Sequence, residues 1–410
     1  MLIQDLIVTP IAFPDPPLLN AAGAHEPLAL RSVVQLVVTG GVVGLGEGWG
    51  EQEVVERLRG VRDEIIGLSV FDLASVECAV DRVFLPGDDE AFIRRAVFSV
   101  IEVACHDAQG KVLDVPVSTL LGGSVRDRVD FSGYLFYKWD RHPNTDSPAD
   151  RWGEALDPAG IVRQAQMMID EFGFRSLKLK GGVFPPGEEA VAVEALADAF
   201  PGLPLRIDPN GAWSIDTALV IAERLRGKLE YLEDPTMGMS GMADVARDAG
   251  IPLATNMCVV GFEHIPDAVS SGAVQIILSD HHFWGGLRRT RELGVICKTF
   301  GLGLSMHSNS HLGISLAAMT HVAAAMPRID YACDTHYPWN AAYDVIKPGA
   351  LEIRDGAVRT PTGPGLGIEL DEARLGDLHA LYVQSGRTHR NDARYMRTVH
   401  PEFADVRPRY

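Results

Sequence analysis

Between about residues 130 and 345 the chain alternates short apolar runs with longer stretches in which apolar residues recur every three or four positions. The runs include FSGYLFY, SLKLK, LRID, YLED, PLAT, IILS and GLSM. Short continuous apolar runs bounded by turn residues predict buried strands, and the periodic stretches between them predict amphipathic helices. DPAGIVRQAQMMIDEFGF is one such helix, with Asp157 placed to cap it and Pro158 at its first position. Strands that alternate with helices in this way predict a parallel sheet built from crossover units.

The first 125 residues have a different texture. LIQDLIVTP, SVVQLVVTG and GVVGLGEGWG predict three strands, the last two joined by a tight turn at Thr39-Gly40-Gly41. Helical periodicity continues at about 51–67, 72–83 and 90–111. After the alternating region, GALEIRDGAVRT predicts a hairpin around Asp355-Gly356, and DEARLGDLHALYVQSG predicts a helix. The expected division is an α+β capping unit over 1–125, a catalytic barrel over 126–345, and a segment over 346–410 that returns to the capping unit.

Chemistry enters at the C-terminal ends of the apolar runs. Lys178 and Lys180, Asp208, Glu233, Asn256, Asp280 and His307 all stand at or just after these ends. Successive steps from Lys180 are 28, 25, 23, 24 and 27 residues. A near-constant interval of this size predicts parallel strands whose C-terminal ends face one site, as in a (β/α)8 barrel. Residues two apart on a strand share a face, so Lys178 and Lys180 should both point inward, with one ammonium orienting an anion and lowering the pKa of the other. Asp208, Glu233 and Asn256 are three oxygen donors at consecutive strand ends, a set suited to a hard cation such as Mg²⁺. Each alone has an ordinary reading: a helix cap, a lysine partner, a turn residue. Asp280 and His307 would place a carboxylate against an imidazole, fixing its tautomer and raising its basicity. His307 and His311 also form a His-x3-His pair, but without the intervening helical Glu of a zinc protease.

Composition narrows the partners. The chain of 410 residues carries a net charge of −18, which disfavours nucleic acid and anionic membranes. Its five cysteines are scattered without CxxC spacing and read as reduced thiols of a cytoplasmic protein. The N-terminus lacks the pattern of a secretion signal, and no uninterrupted apolar run is long enough to span a bilayer.

At these residues the chain resembles the enolase superfamily and, within it, the glucarate dehydratases. The likeness rests on NAAGAHEPLALR, GYLFY, the Lys-x-Lys strand, RIDPNGAW, YLEDP, ATNM, SDHHFW, MHSNSHLGISLAAMTHVAAA, DTHYPW and RNDA, and covers nearly the whole length. The resemblance implies a modified (β/α)7β barrel under a capping domain formed by both termini. It implies that Asp208, Glu233 and Asn256 bind Mg²⁺, that Lys180 and His307 (paired with Asp280) are acid/base groups on opposite faces of the substrate, and that Lys178 assists at its carboxylate. It also places His25, Ser99, Tyr134, Asn256, Ser308, Asn309, His336 and Arg390 around the substrate. Ser99 stands where Thr is usual, Asn309 where Asp is common and His281 where Pro is common; these departures bear on which diacid is taken. The implied reaction is Mg²⁺-dependent dehydration of D-glucarate, and of L-idarate, to 5-dehydro-4-deoxy-D-glucarate. Alternatives are a dehydratase or epimerase for another hexarate such as galactarate, a related protein with little turnover, and a Schiff-base aldolase using one of the lysines. The expected partners are an acid-sugar substrate and further copies of the chain.

Overall fold

The computed structural model describes residues 1–84, 90–146 and 148–410. The capping unit starts with a three-stranded antiparallel sheet in the order β1 (Ile3–Pro14), β4 (Leu28–Val38), β5 (Val43–Trp49). Between the first two, a small hairpin of β2 (Leu19–Asn20) and β3 (Gly23–Ala24) forms the loop that carries His25. The β4–β5 turn takes positive φ at Gly40 and Gly41, which glycine tolerates without steric cost. Helices Gln52–Ile65, Leu73–Asp81 and Ala91–Leu113 come next, close to the ranges that periodicity predicts. The Val-Gly-Leu-Gly-Glu-Gly-Trp sequence of β5 explains how the long helix lies on the sheet. A Cβ at Gly44 would sit 2.0 Å from the Ala104 carbonyl oxygen, and one at Gly46 would sit 2.3 Å from that of Val100.

The barrel strands are β6 (Arg128–Phe136), β7 (Leu177–Lys180), β8 (Leu205–Asp208), β9 (Leu229–Glu233), β10 (Leu253–Thr255), β11 (Ile276–Ser279), β12 (Gly303–Met306) and β13 (Cys333–Thr335). Neighbours from β6 to β12 pair in parallel, and β13 pairs in parallel with β6. Between β12 and β13, Ser305 Oγ donates to the Ala332 carbonyl, which helps close the ring. Among the described residues seven helical connections join these eight strands, giving a (β/α)7β barrel. Asp157 accepts the Gly160 amide at 2.7 Å with Pro158 at the helix start, as its sequence predicts. Alternation on the strands divides the core. Leu177, Leu179, Leu205 and Ile207 pack outward on the helices, while Tyr231, Ala254, Ile276 and Leu278 form a separate buried cluster.

The C-terminal segment divides. The hairpin β14 (Ile353–Arg354) and β15 (Ala357–Arg359) turns at Asp355-Gly356, and β15 pairs antiparallel with β6, so this piece stays on the barrel. Helix Glu372–Ser385 does return to the cap, where His379 meets the Pro10 carbonyl of β1. The last residues run back to the barrel mouth, and Arg409 bonds the carbonyls of Ala21 and Gly182. Among the described residues no helix is long and apolar enough to cross a membrane.

Candidate active site

The strand register sets the chemistry. Lys180 on β7 stands beside Asp208 on β8, and its Nζ lies 2.6 Å from Asp208 Oδ2. Lys178, one layer lower, lies 2.6 Å from Glu233, 2.7 Å from Asp334 and 3.7 Å from Asp208. The ring of Tyr134 lies beside both ammonium groups, with its centroid 4.7 Å from Lys178 Nζ. Asn256, just past β10, donates from its amide nitrogen to Glu233 Oε1 at 2.8 Å. Its backbone N–H is held by Asp234, which Thr255 also bonds.

Four buried carboxylates (Asp208, Glu233, Asp234 and Asp334) therefore face two ammonium groups. Burial and the neighbouring Asp208 charge drive Glu233 well above the usual carboxylate range. The same two causes push Asp234 up to about 7. Burial opposes ionisation of Asp208 as well, but Lys180 and Lys178 overcome it and bring it down to about 2. At Lys178 burial acts to lower the pKa, yet Asp334 and Glu233 raise it well above the ordinary lysine value, so it is a fixed cation. This donor set fits a hard divalent cation. Four acidic side chains meet two lysines at the ends of adjacent strands, and rotation of the Asn256 amide would turn its oxygen toward Glu233 as a further oxygen donor.

The second chemical group comes from β11 and β12. His307 Nδ1 lies 3.2 Å from Asp280 Oδ2. His311 belongs to the same loop, and its Nε2 stands 3.5 Å from that oxygen. His282 Nδ1 and its backbone N–H both lie 2.9 Å from Asp280 Oδ1. Burial works against the Asp280 charge, but His282 and His311 together with hydrogen bonds from His282 and His307 hold its carboxyl well below the usual range. One oxygen of Asp280 and ring nitrogens of His282 and His311 lie within 4.8 Å of one another, a spacing compatible with a metal. His307 and His311 sit on a loop and not on a helix, so the His-x3-His spacing does not form a zinc-protease site.

A cavity of about 540 Å³ lies between cap and barrel. From the barrel it is lined by Tyr134, Lys180, Asn256, His307, Asn309 and His336, and from the cap and tail by His25 and Arg390. These are eight of the residues singled out from the sequence. His25 bonds Asp15 at 3.0 Å, while Arg390 pairs with Asp392 at 2.7 Å and with Asp15 at 2.9 Å. Trp49, Phe92 and Phe283 add an aromatic wall, and the Phe283 and His307 ring centroids are 5.4 Å apart. Lys178, Asp208, Glu233, Asp280 and Ser308 are buried beneath this lining, and Ser308 Oγ accepts the His336 amide at 3.3 Å. Ser99 is placed differently from its sequence expectation. It is fully buried in the long cap helix, among the described residues its hydroxyl has no hydrogen-bond partner, and it does not line the cavity.

Several groups of the site escaped sequence reasoning. Asp334 stands 27 residues after His307, so the strand interval would have found it. Asp15 and Asp392, which hold His25 and Arg390, had no periodic signal. Glu47 is fully buried in β5, where Arg31 bonds it at 2.8 Å, and it reaches the loop after His307 through the Leu312 and Ser315 amides.

Comparison with known proteins adds independent findings. Residues 8–122 match the mandelate racemase / muconate lactonizing enzyme N-terminal domain, and residues 160–374 match the enolase C-terminal domain-like family. A probable glucarate dehydratase from Streptomyces coelicolor is 51% identical over 97% of this chain and 96% of its own. An enolase from Thermobispora bispora, crystallised with magnesium and formate, superposes with a TM-score of 0.97 at 52% identity over the full length of both chains. One from Mycobacterium smegmatis, crystallised with tartrate, superposes with a TM-score of 0.96 at 55% identity over 100% of this chain and 98% of that one.

Proposed function

This chain belongs to the enolase superfamily, and from that premise we propose that the mouth of its barrel is the active site of an acid-sugar hydro-lyase. The substrate is D-glucarate, with L-idarate as the second epimer, and the product is 5-dehydro-4-deoxy-D-glucarate. The observation that carries this reading is the meeting of Lys180, Asp280-backed His307 and a carboxylate cluster at one cavity. The names and ligands of the relatives support it: a probable dehydratase, and structures holding magnesium, formate and tartrate. Asp208, Glu233 and Asn256 would hold Mg²⁺, which when bound supplies a Lewis acid for the substrate carboxylate, where negative charge develops.

The protein's own groups divide the remaining work. Lys180 ends the second barrel strand and His307 follows the seventh, and in this reading they address the carbon α to the carboxylate from opposite sides. One of them removes the α-proton, a contribution of roughly 10²–10⁴-fold for a positioned base. The β-hydroxyl then departs as water, taking its proton from His307, and the resulting enol tautomerises to the ketone. Lys178 stays charged beneath the site, held by Asp334 and Glu233, and supports the substrate carboxylate at a distance. His25 and Arg390 bring cap and tail to the distal end of the substrate, where Asp15 and Asp392 fix their orientation.

The test is a set of hexarates with Mg²⁺, read by 2-keto acid formation and by α-proton exchange in D₂O. D-Glucarate and L-idarate are expected to give keto acid. Lys180→Ala and His307→Asn should each lose exchange with one epimer only, and His307→Asn should lose elimination too. Galactarate as the sole productive hexarate would move the assignment to another diacid. Exchange with no keto acid would make the enzyme an epimerase, and retention of both exchanges by both variants would end the two-base mechanism.

A further inference from the structure

We infer that His282 is a positioning residue for the Asp280–His307 pair, an imidazolium joining a capping-domain carbonyl to Asp280. Its role rests on the two-base reading above, and the observation behind it is a hydrogen-bond count. His282 Nε2 lies 2.9 Å from the Glu47 backbone carbonyl, and Nδ1 lies 2.9 Å from Asp280 Oδ1. A carbonyl and an ionised carboxylate can only accept, so each nitrogen must carry a proton. A neutral ring would set a lone pair against one of these oxygens in a buried site, the arrangement that protein interiors avoid.

The surroundings fit a single positive charge at this ring. His281 and His311 lie with ring centroids 4.1 Å and 5.0 Å from it. Burial, joined by the neighbouring His282 charge, pushes His281 well down and His311 down to about 4, so both flanking rings are neutral. Arg31, the other cation facing the cluster, is already paired with Glu47. On its other side His307 is faced by Asp280 and by His336, which burial likewise holds neutral.

Two consequences arise for the reacting pair. The backbone N–H and the ring of His282 both grip Asp280 Oδ1, which leaves Oδ2 aimed at His307. The imidazolium also shares the Asp280 charge, so His307 faces only part of it. Glu47 ties this to the cap. Its carbonyl holds His282, and its carboxylate holds the Leu312 and Ser315 amides at the start of the helix after the His307 loop. One residue of β5 thus fixes the segments behind both members of the pair.

The test uses the Mg²⁺-loaded enzyme and His282→Asn, with α-proton exchange in D₂O measured separately for each epimer across pH. Exchange on the His307 side should fall on the order of 10–100-fold, the range for loss of a group that orients another. Its acid limb should move to higher pH, because Asp280 then acts on His307 with its full charge. Exchange on the Lys180 side should be unchanged. Equal loss on both sides, or an unmoved limb, would reduce His282 to a structural role. If the wild type exchanges neither epimer, it is the two-base reading that fails. ¹⁵N-histidine spectra of the wild type give an answer even if the variant does not fold: both His282 nitrogens should be protonated at neutral pH, and a neutral ring overturns the inference. Stoichiometric zinc at Asp280, His282 and His311 would overturn it as well, since a metal would then occupy the place of the proton.

Discussion

His321 should make the fold acid-sensitive in a way that one substitution removes. It is fully buried in helix Gly313–Ala325, where Nδ1 accepts the Ser118 amide at 3.3 Å and Nε2 donates to the Leu366 carbonyl at 3.1 Å. A neutral imidazole satisfies both contacts, whereas a protonated ring would turn an N–H against the Ser118 N–H. Burial accordingly pushes its pKa from 6.5 down to about 4. Because the folded value lies below the unfolded one, the unfolded chain binds the proton first as pH falls. The stabilising contribution is therefore complete above about pH 6.5 and is lost progressively down to about pH 4. The two values differ by 2.5 units, which at 1.36 kcal/mol per unit is about 3 kcal/mol. His321→Gln can place an amide oxygen and an amide N–H on the same two partners but cannot titrate. Urea midpoints taken between pH 7.5 and 4.5 should show the variant somewhat weaker at the top of the range, then falling more slowly than the wild type until the curves converge. Catalysis should be unaltered, since His321 does not line the cavity. Parallel curves across the whole range would refute the argument.

The carboxylate cluster gives two further outcomes. Asp334→Asn removes one partner of a fully buried lysine while Glu233 stays in contact, so the variant should lose about 3 kcal/mol in urea unfolding at neutral pH; an unchanged midpoint would mean that Asp334 does not hold Lys178. Asp208→Asn should bind Mg²⁺ at least on the order of 10-fold more weakly by calorimetry and should not recover activity when Mg²⁺ is returned after EDTA, and full recovery would end its assignment as a ligand.

Much of the fold is readable in the sequence because the barrel repeats one instruction. Each strand brings its chemical residue to the same end, so the interval between Lys180, Asp208, Glu233, Asn256, Asp280 and His307 carries topology and chemistry together. The same interval reaches Asp334, but DTHYPW draws the eye to its histidine, and the short apolar run before it hides a strand end. The C-terminal segment is harder. A hairpin pattern says that two strands pair with each other, but not which sheet they join, and β15 lies on β6 of the barrel instead of the cap.

Periodicity cannot show contacts between distant parts of the chain. Ser99 illustrates the limit: helical spacing places it on the cap helix, but which side of that helix meets the cavity is decided by how the helix lies on Gly44 and Gly46 of β5. Glu47 is the stronger case. In the sequence it is one acidic residue among the glycines of a predicted strand, with nothing to say that its carboxylate is buried. In the structure the glycines on either side let the long helix press on β5 from one face, while Glu47 on the other face reaches Arg31, His282 and the helix after the His307 loop. A charge buried this deeply is tolerated because its oxygens are met by strong donors: burial works against its ionisation, and the Arg31 guanidinium and the Leu312 and Ser315 amides more than reverse that. The capping domain is therefore more than a cover over the barrel mouth. Moving β5 would disturb Asp280 through His282 and His307 through the loop before Leu312, so the geometry of the Asp280–His307 pair depends on the cap being seated even though neither member belongs to it.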